Sequence, residues 1–235
     1  WPDTAKPMLL IDFDLEAPGL HHYLRDFLPS PAELNDQPGT LELFEALKQQ
    51  VGAAVAAKKA ADIPGARLNE EECHHLVAAF DFTPYLIDTK LSSIRLIKAG
   101  RFDRSYAERL SQMNWQCLFA DAPGIFRALA ARWAQDYACT MIDARTGLSD
   151  TSGICTMLLP DVLTVVFTPN RQSLTGVSRI VRQAQSYRDQ SADLRALRVY
   201  PLPSRVDQTS EDARETWRRG VAQHPAFGPV DGYQP

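Results

Sequence analysis

The sequence has few cysteines, and none of them is arranged in a pair. Four occur in 235 residues, and no two are separated by two residues as in C-x-x-C. Zinc ribbons and thioredoxin-type sites are therefore excluded, and a reducing cytoplasm is the expected location. The sequence also lacks a secretory signal pattern, an apolar run as long as a membrane span and a lysine-rich amphipathic terminal helix. A membrane is therefore the least favoured partner.

Lysine is missing from the one region that the sequence makes strongly basic. Residues 171–220 contain ten arginines, no lysine and six acidic residues, a net charge of +4, whereas the whole chain has a net charge of −4. Arginine clusters bind phosphates and acidic proteins, but an exposed helix can carry the same charges with no partner. This arginine-rich region makes DNA or a protein a candidate partner and leaves the solvated helix open.

Two apolar stretches end in acidic residues. The stretch Met8–Gly19 (MLLIDFDLEAPG) leads into Asp12 and Asp14, and the stretch from 140 to 147 (TMIDARTG) leads into Asp143. In open α/β sheets, ligands bind at the carboxyl ends of the strands. Two acidic strand ends therefore predict a site for a metal ion and a phosphate.

Short apolar runs alternate with helical patterns along the chain, which predicts parallel βαβ units. The expected fold is α/β, a mostly parallel sheet with helices on both faces, in a single domain spanning 1–235. Residues 61–70 are expected to be a mobile loop and 225–235 an irregular tail. Strands are predicted at 7–13, 85–88, 94–97, 138–142, 162–168 (as a central strand) and 197–202. Helices are predicted at 21–27, 40–60, 106–119, 124–137, 152–159, 173–187 and 211–221, with a loop at 30–39.

Three blocks of this sequence resemble the ParA/MinD-type P-loop ATPases, the deviant-Walker branch of that class. They are LLIDFDLEAPGLHHYL at 9–24, YACTMIDARTGLSDTSGICTMLLPDVLTVVFTPNRQSLTGV at 137–177 and LRVYPLPSRVD at 197–207. Their order and spacing match the family, while 28–136 match only loosely. The form of the first two blocks is similar to a subgroup whose P-loop reads roughly KGGVGR. The resemblance implies a dimeric switch that binds and hydrolyses ATP with Mg²⁺, two copies enclosing the nucleotide.

The resemblance also implies roles for individual residues. Asp14 would orient the attacking water, Asp12 would lie near the magnesium shell, and Asp143 would hold Mg²⁺ as the Walker B aspartate. Phosphoryl transfer depends mainly on such positioning and charge neutralisation. The remaining implied contacts are to the nucleotide: Arg145, Thr146 and Gly147 in the second switch, and Pro203, Ser204 and Arg205 around the base.

The family's phosphate-binding loop has no counterpart in this sequence. The pattern G-x-x-x-x-G-K-[ST] does not occur, nor does any Gly-Lys dipeptide. In the family this loop and its strand directly precede the first acidic strand, which places them upstream of Trp1. We therefore expect the 235 residues by themselves to bind nucleotide poorly and to be inactive.

Two other functions fit part of the pattern. A haloacid-dehalogenase-type phosphohydrolase also begins with an apolar strand and D-x-D, with Asp12 as nucleophile and Asp14 as acid and base. Glu16 stands where that family has threonine or valine, which counts against it. A non-catalytic interaction module that keeps the ATPase fold would explain the missing loop.

Overall fold

A four-stranded sheet organises the first of two units, which span Trp1–Cys155 and Thr156–Pro235. The computed structural model describes residues 6–145, 150–191, 193, 195–205, 219–220 and 227. The strand order is β2-β3-β1-β4, with β3 and β4 parallel to β1 and β2 antiparallel to β3. The expected α/β fold with a mostly parallel sheet is confirmed. The strands are β1 (Met8–Asp12), β2 (Ile87–Asp88), β3 (Ile94–Ile97) and β4 (Cys139–Asp143).

Helices pack on both faces of this sheet because β1 is apolar on both sides. Phe13 lies 5.3 Å from Phe44 and 5.7 Å from Trp115, measured between ring centroids. On the opposite face Leu10 belongs to a cluster that includes Leu20 and Leu34, each from a short helix. The helices of this unit are α1 (Leu20–Tyr23), α2 (Pro31–Asp36), α3 (Thr40–Ala60), α4 (Glu70–Ala79), α5 (Tyr106–Gln112), α6 (Trp115–Asp121), α7 (Ile125–Asp136) and α8 (Asp150–Gly153).

The loop predicted at Ser30–Gly39 contains a helix, α2, so that prediction is wrong for Pro31–Asp36. The carbonyl groups at its C-terminal end accept hydrogen bonds from two distant cations. Lys98 Nζ donates to the carbonyl oxygen of Leu34, and Arg101 Nε donates to that of Asp36 at 2.7 Å. Cations stabilise a helix C-terminus. These two come from far along the chain, beyond the reach of a local sequence pattern.

The polar segment 61–70 ends in a helix that was not predicted from the sequence. Helix α4 begins at Glu70, and the Asn69 side chain accepts a hydrogen bond from the Glu72 amide at 2.9 Å. An asparagine followed three residues later by glutamate is an N-terminal signature that the sequence contains. Leu68, just before it, is buried. The mobility of 61–70 stays a prediction.

The single helix predicted at 106–119 is two helices, α5 and α6. The chain leaves helical geometry at Met113, and Asn114 starts α6 by accepting a hydrogen bond from the Cys117 amide at 2.8 Å. Asparagine is a strong N-cap because its side chain satisfies a free amide of the first turn. The hydrophobic spacing continues across the break, which explains why the periodicity alone predicted one helix.

The second unit contains a parallel pair of strands, β5 (Val162–Phe167) and β6 (Arg198–Pro203), and one long helix, α9 (Arg171–Gln190). Leu163, Val165 and Phe167 form a core with Val181 and Ala184 of α9. The sequence predicted β5 to be a central strand with neighbours on both sides. Within the described ranges β5 pairs with β6 alone, and its side chains alternate between exposed and buried.

Several predicted segments differ at their ends or cannot be compared. The helix predicted at 152–159 is α8 followed by a π-helical turn at Ile154–Leu158. The helix predicted at 211–221 and the tail at 225–235 lie outside the described residues, apart from 219–220 and 227. No helix in the described part of the chain combines the length and the apolarity that a membrane crossing requires.

Candidate functional site

The two acidic strand ends lie side by side. Strands β1 and β4 are parallel neighbours, and Asp12 is the register partner of Asp143. One residue further on, the Phe13 amide donates a hydrogen bond to the Asp143 carbonyl oxygen at 2.8 Å. Both carboxylates therefore stand at the same edge of the sheet, as the sequence pattern predicted.

Asp12 is fully buried and holds the loop that follows it. Its Oδ1 accepts a hydrogen bond from the Asp14 amide at 3.2 Å. Its Oδ2 accepts from the amides of Gly19 and Leu20 at 3.2 and 3.1 Å. Burial raises the pKa of this carboxyl group to about 6, with the nearby charge of Asp143 adding to the effect. With both oxygens engaged by backbone amides, Asp12 shapes the loop around residues 13–20.

The burial of Asp12 predicts an unusual pH dependence of stability. Folding raises the pKa of Asp12 from 3.8 to about 6. The folded protein therefore favours the protonated carboxyl group, and Asp12 contributes most to stability at low pH. This contribution is lost as the pH rises from about 3.8 to above 6. The free energy of unfolding of wild type minus that of Asp12→Asn should fall by about 2 kcal/mol between about pH 4.5 and 7.5. Denaturant unfolding of both proteins across this range measures the difference. A difference that is constant or grows with pH would show that burial does not destabilise the charged carboxylate.

The Asp14 and Asp143 carboxylates accept fewer described hydrogen bonds from backbone amides than the Asp12 carboxylate does. Asp14 is half-buried, and its Oδ1 accepts a hydrogen bond from the Ala17 amide at 3.1 Å. Asp143 keeps part of its surface exposed, and the partial desolvation of its carboxyl group, together with the charge of Asp14, raises its pKa. Among the described residues no group of three or more His, Cys, Asp or Glu side chains is arranged to hold a metal. Two carboxylates suit Mg²⁺, which prefers one or two of them together with waters and phosphate oxygens.

An ion pair links the two loops that follow the strands. Arg145, after β4, pairs with Glu16, after β1. This contact was not predicted from the sequence, because the two residues are far apart in the chain. Thr146 and Gly147, the other predicted residues of this segment, lie outside the described residues.

The predicted base-binding residues belong to the second unit. The Ser204 amide donates a hydrogen bond to the carbonyl oxygen of Phe167 at 2.7 Å, which joins the ends of β6 and β5. Pro203 is the last residue of β6, and Arg205 has a positive φ of 54°. The chain therefore turns sharply where the resemblance places the base, and the exposed Arg205 side chain stands at that turn.

The geometry of Asp12 weakens the phosphohydrolase alternative. A nucleophilic carboxylate needs a free oxygen that faces its substrate. Asp12 has no exposed surface, and both of its oxygens accept amide hydrogen bonds. An attack from Asp12 would require the loop after β1 to open first.

Two contacts to this loop were not predicted from the sequence. The Tyr106 hydroxyl of α5 donates a hydrogen bond to the carbonyl oxygen of Leu15 at 2.8 Å. The Thr40 hydroxyl at the start of α3 donates one to the carbonyl oxygen of Asp12, also at 2.8 Å. No sequence signal identifies them, because each contact depends on how a distant helix packs.

Solved structures with a similar fold are partition proteins and a cobyrinic acid synthase. This chain matches a "Partition Protein" at 15% identity over 92% of this chain and 54% of that one, with a TM-score of 0.53. Cobyrinic acid a,c-diamide synthase from Mycobacterium smegmatis, with bound ADP and magnesium, matches at 16% identity, 94% and 71% coverage and a TM-score of 0.53. A plasmid partition protein from Borrelia burgdorferi matches at 13% identity, 94% and 75% coverage and a TM-score of 0.51.

These likenesses establish the fold, which the chain shares with partition proteins and cobyrinic acid a,c-diamide synthase and which fits the resemblance to the ParA/MinD-type family. The chain spans about half the length of the first of these structures. No protein-family model and no curated protein matches the sequence.

Proposed function

We propose that this chain forms most of an ATP-hydrolysing dimeric switch of the ParA/MinD type. The observation that carries the proposal is the pairing of Asp12 with Asp143 at the ends of adjacent parallel strands, with Asp14 beside them. The fold adds support, since one similar structure holds ADP and magnesium. The phosphate-binding loop would come from sequence outside these 235 residues, which contain no such motif.

Each acidic residue has a distinct task in this proposal. Asp143, exposed at the strand end, would hold Mg²⁺, in part through water. Asp14 would orient the water that attacks the γ-phosphate, since the Ala17 amide fixes one of its oxygens and leaves the other to face the water. Asp12 would hold the conformation of that loop through its hydrogen bonds with three backbone amides. When bound, Mg²⁺ would neutralise the charge on the phosphate oxygens and on these carboxylates.

A surface of α9 supports DNA as a partner of the switch. Arg171, Arg179 and Arg182 are exposed on this helix, and no ion pair to any of them is found within the described ranges. Phosphate backbones attract such arginines whatever the base sequence. Arg188 of the same helix is buried and serves the fold instead.

Replacing Asp14 by asparagine tests the proposed chemistry. Asparagine keeps an oxygen for the Ala17 amide but loses the negative charge that orients the water. In the protein that carries the phosphate-binding loop, Asp14→Asn should lower kcat about 100-fold and change ATP affinity less than about threefold. Steady-state ATP hydrolysis and calorimetric binding of ATP with Mg²⁺ measure the two quantities.

Two comparisons make this result interpretable. Asp26→Asn changes an exposed aspartate whose only described ion pair is a loose one to Arg25, and it should hydrolyse ATP like wild type. The 235-residue chain alone should bind Mg-ATP weakly. Undiminished hydrolysis by Asp14→Asn would refute the role of Asp14, and tight Mg-ATP binding by the chain alone would refute the need for an added loop.

A further inference from the structure

One side chain of α5, that of Tyr106, forms a hydrogen bond with the loop that carries Asp14. The Tyr106 hydroxyl donates to the Leu15 carbonyl oxygen at 2.8 Å, directly after Asp14. Burial raises the pKa of this phenol, and the charges of Asp12 and Asp14 add to the shift. The hydroxyl therefore stays protonated and can act as a permanent donor to the loop.

The Tyr106 ring is itself held in place. Phe102 contacts it edge-on, with ring centroids 5.2 Å apart. Gly100 leaves the space that the ring occupies, because a Cβ at that position would lie 2.8 Å from Tyr106 Cε2. The ring therefore has little freedom to swing away from Leu15.

The helix behind Tyr106 is anchored to α3 by charge. Arg109 of α5 donates to Glu42 at 2.7 Å and to Glu45 at 2.9 Å, and all three side chains are partly buried. Glu42 also accepts a hydrogen bond from the Gly39 amide at 2.8 Å. Paired contacts of this kind are geometrically specific, so α5 presents Tyr106 from a rigid base.

We propose that Tyr106 is a positioning residue that holds the loop at 13–20 closed, so that Asp14 is placed before nucleotide binds. The effect of Tyr106 on catalysis rests on the proposed function, whereas its effect on the conformation of the loop rests on the contacts described above. The Asp12 carboxylate accepts hydrogen bonds from three backbone amides of the loop. Tyr106, from a different element, donates a hydrogen bond to the carbonyl oxygen of the residue that follows Asp14. Preorganised groups of this kind raise kcat more than they change substrate binding.

Tyr106→Phe tests the holding in the 235-residue chain. The ring stays and only the hydrogen bond is lost, so the amides of Ala17, Gly19 and Leu20 should exchange with solvent about five to ten times faster. The amides of β1, β3 and β4 should exchange as in wild type. Tyr85→Phe is the matched control, since it removes a hydroxyl from a half-buried tyrosine for which the structure describes no hydroxyl hydrogen bond. Unchanged exchange in the loop, or equal acceleration throughout the sheet, would overturn the inference.

The catalytic consequence is measured in the protein that carries the phosphate-binding loop. Tyr106→Phe should lower kcat about tenfold and leave KM within about twofold of wild type, whereas Tyr85→Phe should change neither. If the wild-type protein hydrolyses ATP and Tyr106→Phe keeps its kcat, the positioning role is wrong. If the wild-type protein fails to hydrolyse ATP while the exchange result holds, the proposed function fails and the holding role of Tyr106 stands.

Discussion

Gly39→Ala is expected to prevent stable folding of the first unit. A Cβ on residue 39 would lie 2.1 Å from the Lys98 carbonyl oxygen and 2.7 Å from the Gly100 amide nitrogen. Both atoms are backbone and cannot rotate away. The amides of Thr40 and Leu41 donate to the carbonyl oxygens of Lys98 and Ala99 at 2.8 and 2.9 Å, so the clash separates the start of α3 from the end of β3. We expect a loss of at least about 4 kcal/mol in the free energy of unfolding.

Gly52→Ala is the matched control for this prediction. Gly52 lies within the same helix and is exposed, and a Cβ added there would meet no atom of another element within 4 Å. Alanine there should stabilise α3 by about 0.5–1 kcal/mol because it lowers the entropy of the unfolded chain. Denaturant unfolding followed by tryptophan fluorescence compares the two variants. Equal stability of Gly39→Ala and wild type would show that α3 does not approach β3 as described.

Arg188→Met is expected to destabilise the second unit by about 3–5 kcal/mol, since it removes one of the two cations beside the buried Asp193 and the hydrogen-bond donor of three carbonyl oxygens. The guanidinium group is buried and lies 3.4 Å from Asp193, which is 6% exposed. It also donates to the carbonyl oxygens of Met157, Pro160 and Arg195 at 2.7, 2.6 and 3.1 Å. One side chain therefore joins the end of α9 to the segments before β5 and β6.

Hydrogen exchange of the β5 and α9 amides is the appropriate measurement, because it reports on the second unit alone. Arg182→Met removes an arginine from the exposed face of the same helix. It should change stability by less than about 0.5 kcal/mol. Asp193→Asn should be less damaging than Arg188→Met, since the asparagine keeps an oxygen that can accept hydrogen bonds from Arg195. Equal exchange rates in the two arginine variants would refute the structural role of Arg188.

The regular elements with strong patterns were predicted well from the sequence. Helix α3 has the predicted bounds of Thr40–Ala60, and its leucines and valines at helical spacing are buried. Strands β1 and β4 and their acidic ends were also found, because an apolar run that meets a carboxylate is a local pattern. Helix α4 was missed although Asn69 and Glu72 signal its start.

The candidate site was predicted only in part. The sequence pattern and the resemblance identified Asp12, Asp14 and Asp143, and the structure brings these three together. It also shows that Asp12 differs from the other two, since burial and three amide donors give it a structural task that no pattern predicts. The contacts of Glu16 with Arg145 and of Tyr106 with the Leu15 carbonyl join distant parts of the chain, so only the packing could reveal them.

The sequence by itself determined which segments are apolar enough to be strands and where carboxylates end them. These features depend on neighbours in the chain, and hydrophobic burial acts on them directly. The tertiary structure decided the surroundings of each carboxylate, because its burial and its hydrogen bonds depend on groups that the folded chain brings to it. The same holds for α2, which Lys98 and Arg101 cap from a distance, and for the loop of Asp14, which Tyr106 of α5 contacts through its hydroxyl.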